Sequence, residues 1–303
     1  MTEIFCAPLP ERARIRLTGA EVVPFLNALV SRDVTPLAGG AASSAGLHAG
    51  LLTPQGKLVF AFLLVGGGGE GEVVMECDAA QREALLARLS LYRLRADVGM
   101  ETEAGGVLTL WGGGVSDARS LPAEAGVMFA DPRSPSLGMR ILPKAAAAAG
   151  EGAADFMRRH FPSARLCAAE EYRRHRLSLG VGEGAEELPA EEFFPWEVGM
   201  DLLNGLSLDK GCFIGQEVVS RVYRKGRVSR RLLPVRFASA NGGGAPGDSV
   251  RLRDKSVGAL HFRRGSQGLA LLRMDALADL SAVDELRIGE AAAFLLVPPW
   301  LRP

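Results

Sequence analysis

The eight residues at positions 210–217, Lys-Gly-Cys-Phe-Ile-Gly-Gln-Glu, carry the side chains best suited to chemistry in this sequence. A cysteine reacts as its thiolate, and a neighbouring ammonium such as that of Lys210 favours this form of Cys212. Gly211 and Gly215 remove side-chain bulk on either side, so that a ligand or a partner backbone can approach the sulfur closely. The motif predicts a reactive thiol at Cys212, with a buried and inert cysteine as the alternative.

A helix is predicted directly after this thiol, from Gln216 to a stop at Gly226, a residue type preferred after a helix C-terminus. Its apolar positions share one face at helical spacing: Val218, Val219, Val222 and Tyr223. Cys212 would then lie just before a helix N-terminus, where the helix dipole also favours a thiolate.

Two further stretches flank the motif. Residues 193–197 read Phe-Phe-Pro-Trp-Glu, and aromatic faces such as that of Trp196 can form the wall of a pocket for a flat ligand, with core packing as the alternative. Residues 221–231 hold six cations, which would attract glutamates, phosphates or RNA unless they only complement a helix end. The six are Arg221, Arg224, Lys225, Arg227, Arg230 and Arg231.

Length and composition limit the classes of protein. A chain of 303 residues exceeds the size at which one core keeps growing, so two or three subdomains are expected. The 35 basic and 35 acidic residues cancel, so no global field attracts the whole molecule to nucleic acid or membrane. No apolar run is long enough to span a bilayer, and residues 1–10 lack the apolar core of a signal peptide, so we expect a soluble cytoplasmic protein.

The cysteines and histidines do not predict a resident metal site. Cys6, Cys77, Cys167 and Cys212 lie far apart, without a Cys-x-x-Cys pair, and the four histidines stand singly. A protein of this kind that deals with metal clusters would act on those of another protein.

The periodicity along the chain divides it in two. Paired strands alternate with helices before the motif, which predicts an α+β arrangement. From Leu232 onward short alternating strands predict a small closed barrel or sandwich. The expected domains are therefore residues 1–227 and residues 228–303.

The motif at 210–217 resembles the Lys-Gly-Cys-aromatic-x-Gly-Gln-Glu signature of the folate-binding YgfZ family, relatives of the glycine-cleavage T-protein (aminomethyltransferase). Weaker matches in character and order occur at 25–26, 31–34, 53–57, 92–95 and 188–201. The resemblance extends over essentially the whole chain and is weakest at 105–150. It implies a ring of two α+β lobes and a small C-terminal β-barrel around a folate-sized hole.

The resemblance also implies a function: an accessory protein, expected to be a monomer, that serves the assembly or repair of iron–sulfur enzymes, including tRNA-modifying ones. Its expected cofactor is tetrahydrofolate or a one-carbon derivative of it. By position, Lys210 and Cys212 become the functional pair. Glu197 would accept hydrogen bonds from the pterin, while Arg221 and Arg227 would meet the glutamate tail of the folate. The other residues expected at the folate are Trp196, Gly211, Gln216 and Glu217.

Two alternatives remain. An aminomethyltransferase is disfavoured, because residues 56–65 contain no acidic residue that could act near the folate nitrogen, and because that enzyme does not call for Cys212. A binding module for RNA or protein would instead use the cations of residues 221–231, and its binding would weaken steeply with added salt.

Overall fold

The structure is a computed structural model that describes residues 3–38, 45–115, 121–144, 152–224, 226, 228–253, 255–277 and 285–301. The strands in chain order are β1 (Ile4–Pro8), β2 (Arg12–Thr18), β3 (Leu47–Leu52), β4 (Leu58–Gly66), β5 (Glu72–Asp78), β6 (Gly99–Glu103), β7 (Leu108–Gly112), β8 (Gly126–Ala130), β9 (Met139–Pro143), β10 (Arg165–Leu166), β11 (Arg230–Phe237), β12 (Ser249–Leu252), β13 (Lys255–Arg264), β14 (Gln267–Arg273), β15 (Glu285–Ile288) and β16 (Ala291–Leu295). The helices are α1 (Val22–Leu29), α2 (Arg82–Arg93), α3 (Ala153–His160), α4 (Ala169–Ser178), α5 (Gly184–Glu187) and α6 (Gln216–Arg224).

These elements form two five-stranded sheets and one closed barrel. The first sheet has the order β3-β4-β5-β2-β6, the second β10-β1-β7-β9-β8, and the barrel β11-β14-β13-β12-β15-β16. The predicted class, α+β with two lobes and a C-terminal barrel, is confirmed. The barrel begins at Arg230, and the division of the chain near Val228 into two domains stays a prediction.

The first lobe, built on the sheet β3-β4-β5-β2-β6, is apolar on both sides of that sheet. Phe60, Phe62 and Leu64 of β4 pack with α1 and α2 on one face. Leu63 and Val65, which alternate with them, join a core shared with the second lobe. A strand covered on both faces reads as a continuous apolar run, which explains the composition of β4.

A buried ionic network joins the two lobes. Arg140 in β9 is fully buried and lies 3.4 Å from Glu76 of β5 and 2.7 Å from Glu183. Burial alone would raise the pKa of Asp131, but Arg133 and Arg140 lower it to about 2. These buried charges balance one another across the two sheets, which offsets the cost of removing them from water. The members are Arg12, Arg133, Arg140, Arg176, Glu76, Asp131, Glu183 and Glu187.

The barrel is attached through β11, which alternates between two cores. Leu233, Val235 and Phe237 face the barrel interior, as their spacing predicts. Leu232 faces the other way, into a core that also contains Phe213 of the motif and Val219 of α6. Within the described residues, no helix is both long and apolar enough to cross a membrane.

Candidate functional site

Lys210 fastens the motif loop to the end of α1. Its Nζ donates to the carbonyl oxygens of Val30 at 2.7 Å and Arg32 at 2.9 Å, and lies 5.2 Å from the centroid of the Phe213 ring. Desolvation lowers the pKa of Lys210 to about 8, against the opposing effect of Asp33. These hydrogen bonds go to backbone carbonyls about 180 residues away, so the first effect of Lys210 is to position the loop.

Cys212 differs from the other cysteines in its environment. Of the four, all described by the structure, it alone is exposed. Burial raises the pKa of Cys6 to about 11 and that of Cys77 to about 12, which keeps both protonated at neutral pH. Cys167 is buried as well. The alternative of a buried Cys212 is therefore wrong, and its reactivity stays a prediction.

The two glycines of the motif have different tasks. A Cβ built at Gly211 meets no atom within 4 Å outside the neighbouring residues, so the space at this glycine is open. At Gly215, φ is +81°, and a Cβ would lie 2.6 Å from the carbonyl oxygen of Thr53. A Cβ built at Gly56, in the same β3–β4 turn, would likewise lie 3.1 Å from the Cβ of Val218 in α6. Gly215 thus serves close packing on the hairpin and does not open a path to the sulfur.

Helix α6 begins at Gln216 as predicted, within the motif, and turns a polar face to solvent. Gln216 Nε2 donates to the carbonyl oxygen of Lys210 at 3.4 Å, and Glu217 forms an exposed ion pair with Arg221 at 2.8 Å. A surface cavity of about 570 Å³ lies along this face. Its lining residues are Gln216, Glu217, Ser220, Arg221 and Arg224. The remaining predicted tail residue, Arg227, lies outside the described residues.

The Phe-Phe-Pro-Trp-Glu stretch is packed into the core that joins the barrel to the motif. Trp196 is buried and stacks on Phe194, with ring centroids 4.5 Å apart. The carboxylate of Glu197 accepts from Arg230 Nη2 at 2.7 Å through one oxygen and from the backbone N–H of Phe194 at 3.0 Å through the other. Core packing, the second of the two interpretations of Trp196, describes this stretch.

The cations at 221–231 are partly neutralised by carboxylates. Arg221 pairs with Glu217, Arg230 with Glu197, and the buried Arg231 makes two hydrogen bonds to Asp201 at 2.9 and 2.7 Å. Lys225 and Arg227 lie outside the described residues. The pairing weakens the case for an RNA surface at this patch.

Residues 31–33 hold the chain that leads into the motif loop, although the sequence predicted no functional role for them. Ser31 Oγ donates to the carbonyl oxygen of Gly205 at 2.6 Å and accepts from the N–H of Gly50 at 2.9 Å. The N–H of Asp33 donates to Ser207 Oγ at 3.0 Å. In the sequence these residues are a polar run directly after an apolar helix. Such a run predicts a turn, but it does not predict which segment the turn contacts. Within the part of the chain that the structure describes, no three His, Cys, Asp or Glu residues are placed to hold a metal ion.

Comparison with known proteins gives relatives over nearly the whole chain. The human iron-sulfur cluster assembly factor IBA57, mitochondrial, is 31% identical, and the alignment covers 97% of this chain and 85% of the human protein. The mouse protein of that name is 29% identical, covering 97% and 85%. The homologue in Coccidioides immitis is 26% identical, covering 97% and 82%. Residues 230–303 match the family described as CAF17, C-terminal beta-barrel domain.

The fold also matches a solved structure. The glycine cleavage system aminomethyltransferase T from Bartonella henselae superposes with a TM-score of 0.70 at 14% identity, covering 99% of this chain and 86% of that one. This supports the predicted aminomethyltransferase-like fold and nothing finer. The predicted cytoplasmic location is wrong by the comparison, because the human, mouse and Coccidioides relatives are mitochondrial proteins.

Proposed function

Because this chain belongs to the CAF17/IBA57 family of iron–sulfur cluster assembly factors, we propose that it takes part in assembling iron–sulfur clusters and that Cys212 contacts the cluster. The observation that carries the proposal is the exposure of Cys212 on a loop that is fixed from both sides. Thiolates are the usual protein ligands of iron–sulfur clusters.

One thiolate does not hold a cluster by itself, since clusters need several protein ligands. The described residues offer no group of three or more His, Cys, Asp or Glu side chains placed to hold a metal ion. We infer that the remaining ligands come from a partner and that the cluster is cargo shared between the two proteins. In the exchange, Cys212 Sγ forms a bond to iron, a bond between iron and a ligand of the partner breaks, and the displaced thiolate takes up the proton that Cys212 released.

A reduced folate fits the residues of this chain only in part. The cavity along α6 has cations at Arg221 and Arg224 for a glutamate tail. A pterin that presents two neighbouring N–H donors to Glu197 finds one carboxylate oxygen filled by Nε and Nη2 of Arg230, while the other already accepts from the N–H of Phe194. Arg230 would have to leave first, so the proposal includes no step that depends on folate. Folate binding, service to tRNA-modifying clients and membership of the YgfZ branch stay predictions.

The experiment replaces Cys212 with alanine in a strain that lacks the chain. We expect loss of iron–sulfur enzyme activity in the complemented cells, together with unchanged thermal unfolding, because an exposed side chain contributes little to the core. Cys77→Ala is the matched control: it removes a buried thiol and should retain activity. Full restoration by Cys212→Ala would remove the thiol from the function.

A further inference from the structure

The end of α2 exposes large apolar side chains beside the candidate site. Leu91 is 73%, Tyr92 36% and Leu94 87% exposed, whereas the other exposed large apolar residues of the described chain, Leu166, Leu202 and Leu208, are 39–42% exposed and separated in sequence. Burial of such side chains is normally favourable, so a group of them in water marks a contact surface. We call this surface the α2 tip; it consists of Arg88, Leu91, Tyr92, Arg93, Leu94 and Arg95.

The backbone at Leu94 is strained in a way that places its side chain in solvent. Its φ of 47° and ψ of −106° form a conformation that essentially only glycine adopts without cost. A hydrogen bond from the N–H of Ala96 to the carbonyl oxygen of Arg93, at 2.8 Å, closes the turn around it. Glycine would suit this turn better, so the presence of leucine points to a use for the side chain.

The charge of the α2 tip selects its partner. Arg88, Arg93 and Arg95 are exposed, and none forms an ion pair within the described residues. A second copy of this chain would bring like charges together at the same surface. The complementary occupant is a protein surface that has carboxylates around an apolar contact.

The α2 tip is continuous with the motif. A cavity of about 180 Å³ is lined by Arg88 and Tyr92 on one side and by the β3–β4 turn, including Thr53, on the other. The same turn contacts Gly215, and Ile214 packs against the core that α2 covers. A protein seated on the α2 tip therefore borders the β3–β4 turn, which contacts the motif at Gly215.

We propose that the α2 tip is the docking surface for an acidic protein partner, the one that supplies the remaining cluster ligands. This inference rests on the proposed function at Cys212. A protein is favoured over an anionic lipid surface because only a protein brings thiolate ligands to the adjacent loop.

The test places the photo-crosslinker benzoylphenylalanine at position 91 of the full chain in cells, and identifies the product by mass spectrometry. We expect one crosslinked protein, attached through an acidic segment, and an at least tenfold loss of the product in Leu94→Asp and Arg93→Glu. Leu166→Asp, a matched change at an exposed leucine of β10, should retain the product. Cys212→Ala should also retain it while losing function, which separates failure of docking from failure of the proposed function.

Leu94→Gly supplies the second variant. Because glycine relieves the turn, its thermal unfolding temperature should rise, yet the crosslink and the restored enzyme activity should fall. A crosslink only to a second copy, a crosslink unchanged in Leu94→Asp and Arg93→Glu, or binding to phosphatidylserine vesicles that Leu94→Asp abolishes would each overturn the inference.

Discussion

Replacement of each motif glycine by alanine distinguishes Gly215, which packs closely on the β3–β4 turn, from Gly211, which has open space around it. In Gly215→Ala the new Cβ occupies a backbone with φ of +81° and lies 2.6 Å from the carbonyl oxygen of Thr53. The left-handed conformation costs about 1–2 kcal/mol, and the contact with a backbone atom about 1–3 kcal/mol more. The free energy of unfolding should therefore fall by roughly 2–5 kcal/mol, a large part of the ~5–15 kcal/mol of a typical domain.

Gly211→Ala is the matched control in the same loop. Its Cβ meets no atom within 4 Å, so its free energy of unfolding should stay within about 0.5 kcal/mol of the wild-type value. Urea titration of both purified variants, followed by circular dichroism, measures the two changes. Equal stability of Gly215→Ala and Gly211→Ala would refute the close approach of the motif to the β3–β4 turn. Alkylation of Cys212 by iodoacetamide should persist in both variants, since neither change covers the sulfur.

Two further predictions concern the barrel and the first lobe. Arg230→Ala frees the Glu197 carboxylate, so the affinity for tetrahydrofolate measured by calorimetry should rise roughly fivefold (~1 kcal/mol). Arg236→Ala, at an exposed arginine of the same strand, is the control and should leave the affinity unchanged. A lower affinity in Arg230→Ala would contradict competition between Arg230 and the pterin for Glu197. His48 is buried, and desolvation lowers its pKa from 6.5 to about 4, so the unfolded chain binds the proton first and stability falls as pH decreases from 6.5 towards 4. The loss amounts to at most about 3 kcal/mol. His48→Asn, which can still donate to the carbonyl oxygen of Leu203, should flatten this dependence in urea titrations at several pH values; an unchanged slope would assign it to other groups.

The sequence alone determined the elements whose residues carry a local pattern. The apolar face of α6 recurs at helical spacing, and β11 alternates between two faces, so each element follows from its own residues. The motif at 210–217 led to the correct fold through its resemblance to a family signature, because proteins that share a long signature generally share a fold. Such patterns record which face of an element is buried.

Only the tertiary structure decided which groups meet. Lys210 donates to Val30 and Arg32, and Arg230 holds Glu197; each pairing joins segments that are distant in sequence. A side chain's type fixes the hydrogen bonds it can make, but the packing of sheets and barrel fixes the partner it finds. The exposure of Cys212 was decided in the same way, since the same residue type is buried at three other positions of this chain.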